Sequence, residues 1–145
     1  MKFIAHRGNI NGSSKYENDP GFILNAIYYN LDVEVDVWAI GNSYYLGHDS
    51  PKYKIDLAYF EEIKNNLWCH CKNIEALSLL KDKYNCFWHQ NDKYTLTSLG
   101  YIWVYPGEKL VENSIALFDN YSKDNLNICY GICSDNILKY KGLWL

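Results

Sequence analysis

Six consecutive residues, Asp32-Val33-Glu34-Val35-Asp36-Val37, alternate strictly between an acid and a valine. A β-branched run with period two predicts a strand. Successive strand side chains point to opposite faces. Glu34 and Asp36 therefore share one face, and Val33, Val35 and Val37 take the other, dry one. Any sheet that accepts this strand is packed on one side and carries paired carboxylates on the other.

The rest of the chain repeats short strand signals separated by helical ones. Residues 3–5, 44–46, 67–71, 86–89, 102–105, 114–118 and 130–133 read as strands. Asp19-Pro20 reads as an N-cap followed by a first-turn proline, with Phe22, Ile23, Ala26 and Ile27 on one helical face. Residues 57–63 and 74–80 have helical spacing, and 96–99 reads as a single helical turn. Residues 9–19 form a Gly/Ser/Asn-rich loop, and Gly41-Asn42 marks a turn. Eight short strands interleaved with helical patterns predict βα units and a mostly parallel sheet, in one domain over residues 1–145. His6, His48 and the polar residues of the other strands then converge at the strands' C-terminal ends, where a parallel barrel builds its chemistry.

Composition narrows the function classes. Lys and Arg number 14 against 17 Asp and Glu, so the net charge of −3 argues against a general nucleic-acid binder. No apolar run approaches the ~20 residues of a membrane helix. The N-terminus meets His6-Arg7 after three apolar residues, short of the about 7–15 of a signal-peptide core. Cys69, Cys71, Cys86, Cys129 and Cys133 are an odd set without framework spacing, which predicts reduced thiols in a cytoplasmic protein. Cys69-His70-Cys71 is not read as a zinc site. On a strand the two thiols and the imidazole face opposite ways, and zinc-binding cysteines are spaced by two to four residues. The thiols read as small core residues.

Two carboxylates two residues apart on one strand face repel each other unless a cation lies between them. A hard divalent ion such as Mg²⁺ or Ca²⁺ is one solution; a solvated strand face carrying two harmless acids is the other. His6 and His48 each follow a strand and can give or take a proton near neutral pH. Arg7 offers a planar fork suited to phosphate. Two histidines flanking a phosphate, with an arginine and a metal to withdraw charge, suit phosphodiester cleavage: one deprotonates the nucleophile and the other protonates the leaving oxygen. Each histidine taken alone reads more readily as structural than as catalytic. Trp103 reads either as a stacking platform for a substrate or as a buried aromatic, and His89 and Gln90 as residues that reach the mouth or pack at its rim.

His6-Arg7-Gly8, Glu17-Asn18, Glu34-x-Asp36 and His48-Asp49 together resemble the glycerophosphodiester phosphodiesterases. That family carries an HRG at the end of its first strand, a PEN-type segment, an ExD on the second strand and an HD soon after. The four segments occur here in that order, over the first third of the chain. Trp103-Val104-Tyr105 and residues 131–135 resemble its late strands more loosely. The resemblance implies a TIM-barrel-type fold, one divalent metal and hydrolysis of a phosphodiester. It implies His6 and His48 as the acid/base pair, with Arg7 and Lys72 on the phosphate. Glu34 and Asp36 become metal ligands, and Glu17 supports the metal and Arg7 at the mouth. Attack by a neighbouring substrate hydroxyl would give a cyclic phosphate that water then opens.

Three departures shape the expectation. Where the family has a third acidic ligand in a Glu-x-Lys pattern, this chain has His70-x-Lys72; the nitrogen donor suits Mn²⁺ or Zn²⁺ better than Mg²⁺ or Ca²⁺. Tyr16 replaces the proline before Glu17-Asn18. The chain is short: a TIM barrel takes about 250 residues, and 145 leaves about 18 for each of eight βα units. The expected fold is therefore a trimmed TIM-barrel-like (βα)8 whose helices are short or missing, above all in the second half. Bare walls would expose apolar surface that a homo-oligomer would cover. The expected substrate is a phosphodiester, either small or at the end of a polymer, and Arg7, Lys72, Trp103 and His89 are the candidate contacts. A cyclising phospholipase-D-like lyase and a phosphate-ligand-binding module without turnover are the alternatives.

Overall fold

The computed structural model describes residues 1–118 and 120–145. In chain order the elements are β1 (Lys2–His6), α1 (Pro20–Tyr28), β2 (Asp32–Ile40), β3 (Ser43–Leu46), β4 (Tyr53–Ile55), α2 (Leu57–Ile63), a 3-10 turn (Lys64–Asn66), β5 (Leu67–Cys71), α3 (Ile74–Leu80), β6 (Cys86–Phe87), β7 (Tyr94–Leu96), β8 (Ile102–Val104), β9 (Ser114–Leu117), α4 (Lys123–Leu126), β10 (Gly131–Ser134) and α5 (Ile137–Gly142). Asp19 caps α1 as its sequence predicts, its Oδ1 accepting from the Gly21 and Phe22 amides at 2.9 and 3.1 Å.

The ten strands form one curled mixed sheet, a half-barrel. Its parallel part runs β6-β5-β2-β1-β10-β9-β8. β3 lies antiparallel on β2, β4 antiparallel on β3, and β7 antiparallel on β8. This corrects the expected trimmed (βα)8 TIM-barrel-like fold. The Gly41-Asn42 turn is too short for a helical crossover, so β2 folds back into a hairpin and the alternation stops there. The segment predicted as a helical turn at 96–99 instead begins within β7, where the β-prone run Tyr94-Thr95-Leu96 pairs with β8. No helix lies between β8 and β9 among the described residues.

The two faces of the sheet are dry for different reasons. Val33, Val35, Val37, Cys69 and Cys71 pack under the helices against Ile23, Phe60, Leu80 and Ile137. Full burial of such side chains contributes about 1.5–3 kcal/mol each. The concave face holds Ile4, Trp68, Phe87, Trp103, Ile115, Leu117 and Cys133. The acids of β2 share that inner face. Register sets their neighbours: His6 lies beside Glu34, Glu34 beside Trp68, and Asp36 beside His70. All five thiols are buried and reduced. No described helix is long and apolar enough to cross a membrane.

Candidate functional site

A cleft of about 110 Å³ opens at the C-terminal ends of the parallel strands, where ligands bind in open α/β sheets. His6, Arg7, Glu34, His48 and His70 form its polar wall, and Phe87, Trp103, Leu117 and Phe118 its apolar one. The sheet thus brings together residues that are far apart in sequence.

Glu34, Asp36 and His70 offer one ligand atom each, all within 4.8 Å of one another. Both acids are buried. Asp36 Oδ1 has no hydrogen-bond partner, although His70 Nδ1 lies 3.2 Å away and Lys72 Nζ 3.8 Å. A buried, orphaned carboxylate oxygen facing a second carboxylate and an imidazole is a donor set that fits a divalent cation. The two acids titrate apart. Burial opposes ionisation of Asp36, but His70, Arg7 and the Asn18 amide outweigh it and hold its carboxyl well below the usual range. Burial and the neighbouring Asp36 charge push Glu34 up.

Asn18 fixes the orientation of Asp36. Its amide donates to Asp36 Oδ2 at 2.9 Å, and its carbonyl oxygen accepts from the Asp36 backbone amide at 2.9 Å. The residue stands at φ 63°, a left-handed conformation that asparagine tolerates. Its own backbone amide donates to the Arg7 carbonyl at 3.0 Å, which closes loop 9–18 over the end of the sheet.

Arg7 sits between the acids. Its Nη1 donates to Glu17 at 3.0 Å, and its Nε lies 3.1 Å from Asp36 Oδ2 without hydrogen-bond alignment. Burial would lower the Arg7 pKa, but Asp36, Glu34 and Glu17 raise it, so the guanidinium stays charged. Glu17 stands apart from the three-residue cluster. Its oxygens hold Arg7 and the Asn9 amide, so it positions the arginine.

Both catalytic candidates carry a carboxylate on the same ring nitrogen. His6 Nδ1 meets Asp135 Oδ1 at 2.8 Å, leaving Nε2 3.8 Å from Glu34. His48 Nδ1 meets Asp49 Oδ1 at 2.7 Å. An aspartate on Nδ1 fixes the tautomer and frees Nε2 for proton transfer. Burial would lower the His6 pKa, but the Asp135 hydrogen bond and the Glu34 charge dominate and raise it. His48 lies on the loop after β3 at the rim, half-exposed. Gly47 precedes it at φ 153°, where a Cβ would strike the Ser50 carbonyl and crowd the Lys52 amide at 3.1 Å.

The remaining candidates fall around this centre. Lys72 reaches Asp36 from outside and lines a flanking groove with Trp88, His89 and Gln90, not the central cleft. His89 lies parallel to His70, ring centroids 4.6 Å apart. Burial and the His70 and Lys72 charges lower the His89 pKa. Trp103 is buried in the cleft floor, stacked on Phe87 at 4.5 Å.

Sequence reasoning assigned no role to Asp135 or Asn9 and none of its own to Asn18. Asn9 is fully buried, and its amide bridges Glu17 and Asp135 at 2.9 and 2.7 Å. Asp135 lies just past β10, as His6 ends β1, and those strands are paired neighbours. A polar residue one step beyond a strand was the available signal. No family model, curated protein or solved structure matches this chain.

Proposed function

We propose that the chain is a metal-dependent phosphodiester hydrolase. One observation carries this reading: two histidines, each with an aspartate on Nδ1, line one cleft together with the Glu34–Asp36–His70 cluster. The resemblance of the four N-terminal segments to the glycerophosphodiester phosphodiesterases supports it. Four carboxylates (Glu17, Glu34, Asp36, Asp135) face two permanent cations (Arg7, Lys72), and a divalent ion would offset the excess negative charge. Bound by Glu34, Asp36 and His70, such an ion would supply charge withdrawal from the phosphoryl oxygens. Two oxygens and one nitrogen as donors suit Mn²⁺ or Zn²⁺ better than Mg²⁺ or Ca²⁺.

The chain's own groups divide the remaining work. Arg7 holds a phosphoryl oxygen, and Glu17 keeps the guanidinium in place. His6 Nε2 takes the proton of the attacking hydroxyl, held in that tautomer by Asp135. His48 at the rim protonates the leaving oxygen. The apolar wall of Phe87, Trp103 and Phe118 excludes water from one side of the phosphate.

The test is hydrolysis of bis(p-nitrophenyl) phosphate and glycerophosphocholine with Mg²⁺, Ca²⁺, Mn²⁺, Zn²⁺ or EDTA, beside His6→Ala. Turnover that needs a metal and vanishes in the variant is expected. A cyclic phosphate that accumulates as the end product identifies a lyase. Ligand binding without turnover under every ion identifies a binding module.

A further inference from the structure

The cleft has two unlike sides. His48 follows β3 and also borders a groove lined by residues such as Ser14, Lys15 and Ser50, with no apolar side chain. β1, which leads into Arg7, lies between β2 and β10, and β9 and β8 continue on the far side. There the rim is made by Tyr105, Pro106 and Phe118. A leaving oxygen protonated by His48 departs on the polar side, so the alcohol that stays on the phosphate faces the β8–β9 side.

The backbone is bent to put Phe118 there. β9 keeps period two to its end: Ile115 and Leu117 face the concavity and Ala116 the helices. The next side chain is due on the helical face. Phe118 instead stands at φ 64°, a left-handed conformation that a bulky residue rarely takes, and lines the cleft beside Leu117. Its amide donates to the Cys133 carbonyl at 2.8 Å, which holds the reversal. Strain of this kind collects at binding sites. The ring meets His6 edge-to-face at 5.0 Å between centroids, yet stays 37% exposed.

Tyr105 is held by a tight turn. It lies two residues past Trp103 and shares that residue's inward face. Its carbonyl accepts from the Glu108 amide at 3.1 Å across Pro106 and Gly107, and Gly107 stands at φ 87°, as a type II turn requires. Lys93 pairs with Glu108 at 3.2 Å and ties the turn to the chain entering β7. Tyr105 is thereby kept at the mouth, 49% exposed. Two ordered, half-exposed aromatic rings beside a phosphate-holding arginine offer apolar surface for a ligand to cover.

We propose that the cleft selects phosphodiesters whose retained alcohol carries a ring with an apolar face. The ring covers Tyr105 and Phe118, and the polar alcohol leaves past His48. This substrate class rests on the hydrolase reading, and binding tests it apart from turnover.

Phenyl phosphate and methyl phosphate share a head group and differ in the ring. Each is titrated into the full chain in Mg²⁺ and followed by amide chemical shifts. Phenyl phosphate should bind at least about tenfold tighter, what covering part of such a ring is worth, and should shift the amides of Tyr105, Gly107 and Phe118. Tyr105→Ala should bring the two affinities within about threefold of each other, and Tyr105→Phe should keep the preference. Amide spectra away from the rim report the folding of both variants. In turnover, p-nitrophenyl phenyl phosphate and p-nitrophenyl methyl phosphate release the same p-nitrophenolate, and the preference should appear in KM. Tight binding of phenyl phosphate without hydrolysis of either diester keeps the ring site and refutes the hydrolase reading. Hydrolysis of both diesters with equal KM keeps the hydrolase and refutes the ring site. Equal affinities for the two monoesters, no binding of either, or a preference that survives Tyr105→Ala also overturns the proposal.

Discussion

Asn18→Ala tests how the acid cluster is held. The substitution removes the charge-assisted bond to Asp36 Oδ2, about 1.5–3 kcal/mol, and the bond from the Asp36 amide, about 1 kcal/mol. It also forces alanine into the left-handed region at φ 63°, at about 1 kcal/mol. The expected loss is about 4 kcal/mol, a large share of the 5–15 kcal/mol typical of a domain. At about 2–4 °C per kcal/mol this lowers the Tm by about 10 °C. Asn18→Gly loses the same bonds without the backbone strain and should lie about 1 kcal/mol above the alanine variant. Urea unfolding of the three proteins in EDTA gives the differences directly. Alanine within about 0.5 kcal/mol of the parent, or glycine no better than alanine, would refute the claim that Asn18 clamps Asp36 through a left-handed turn.

Three further outcomes follow from the same geometry. Gly47→Ala places a Cβ against the Ser50 carbonyl, so it should cost about 1–3 kcal/mol and displace the His48 rim; an unchanged Tm with full phosphodiesterase activity would contradict this. The raised His6 pKa gives stability that is complete below 6.5 and lost as pH rises through its folded value, and the lowered Asp135 pKa gives stability lost below 3.8. His6→Asn in EDTA should therefore lose less Tm than the parent between pH 5.5 and 8.5; equal losses would refute the coupling. His70→Asp converts the donor set to oxygens alone and should shift calorimetric ion preference from Mn²⁺ or Zn²⁺ toward Mg²⁺ or Ca²⁺; an unchanged preference would place His70 outside the coordination.

The inner and outer faces of the sheet were legible because period two leaves no freedom. Once Val33, Val35 and Val37 are under helices, Glu34 and Asp36 must face the concavity. Helices α2 and α3 and strand β5 fell at the residues their spacing predicts. The architecture was not legible from the same signals. Strand and helix patterns are local, whereas closing eight βα units needs residues for crossovers that this chain does not have. The hairpin at Gly41-Asn42 and the β7–β8 pair take their place. The site's supporting residues were hidden for another reason. Asn9, Asn18 and Asp135 lie in loops, where no periodicity announces a side chain's direction, and their partners are set by β1 lying between β2 and β10.

The central claim is that Glu34, Asp36 and His70 hold a divalent ion. Calorimetric titration of Mn²⁺ into the metal-free chain tests it most directly, beside Asp36→Asn and Glu34→Gln variants whose folding is verified by their amide spectra. The account predicts one ion per chain, lost in both variants. No binding by the parent, or undiminished binding by folded variants, would contradict it.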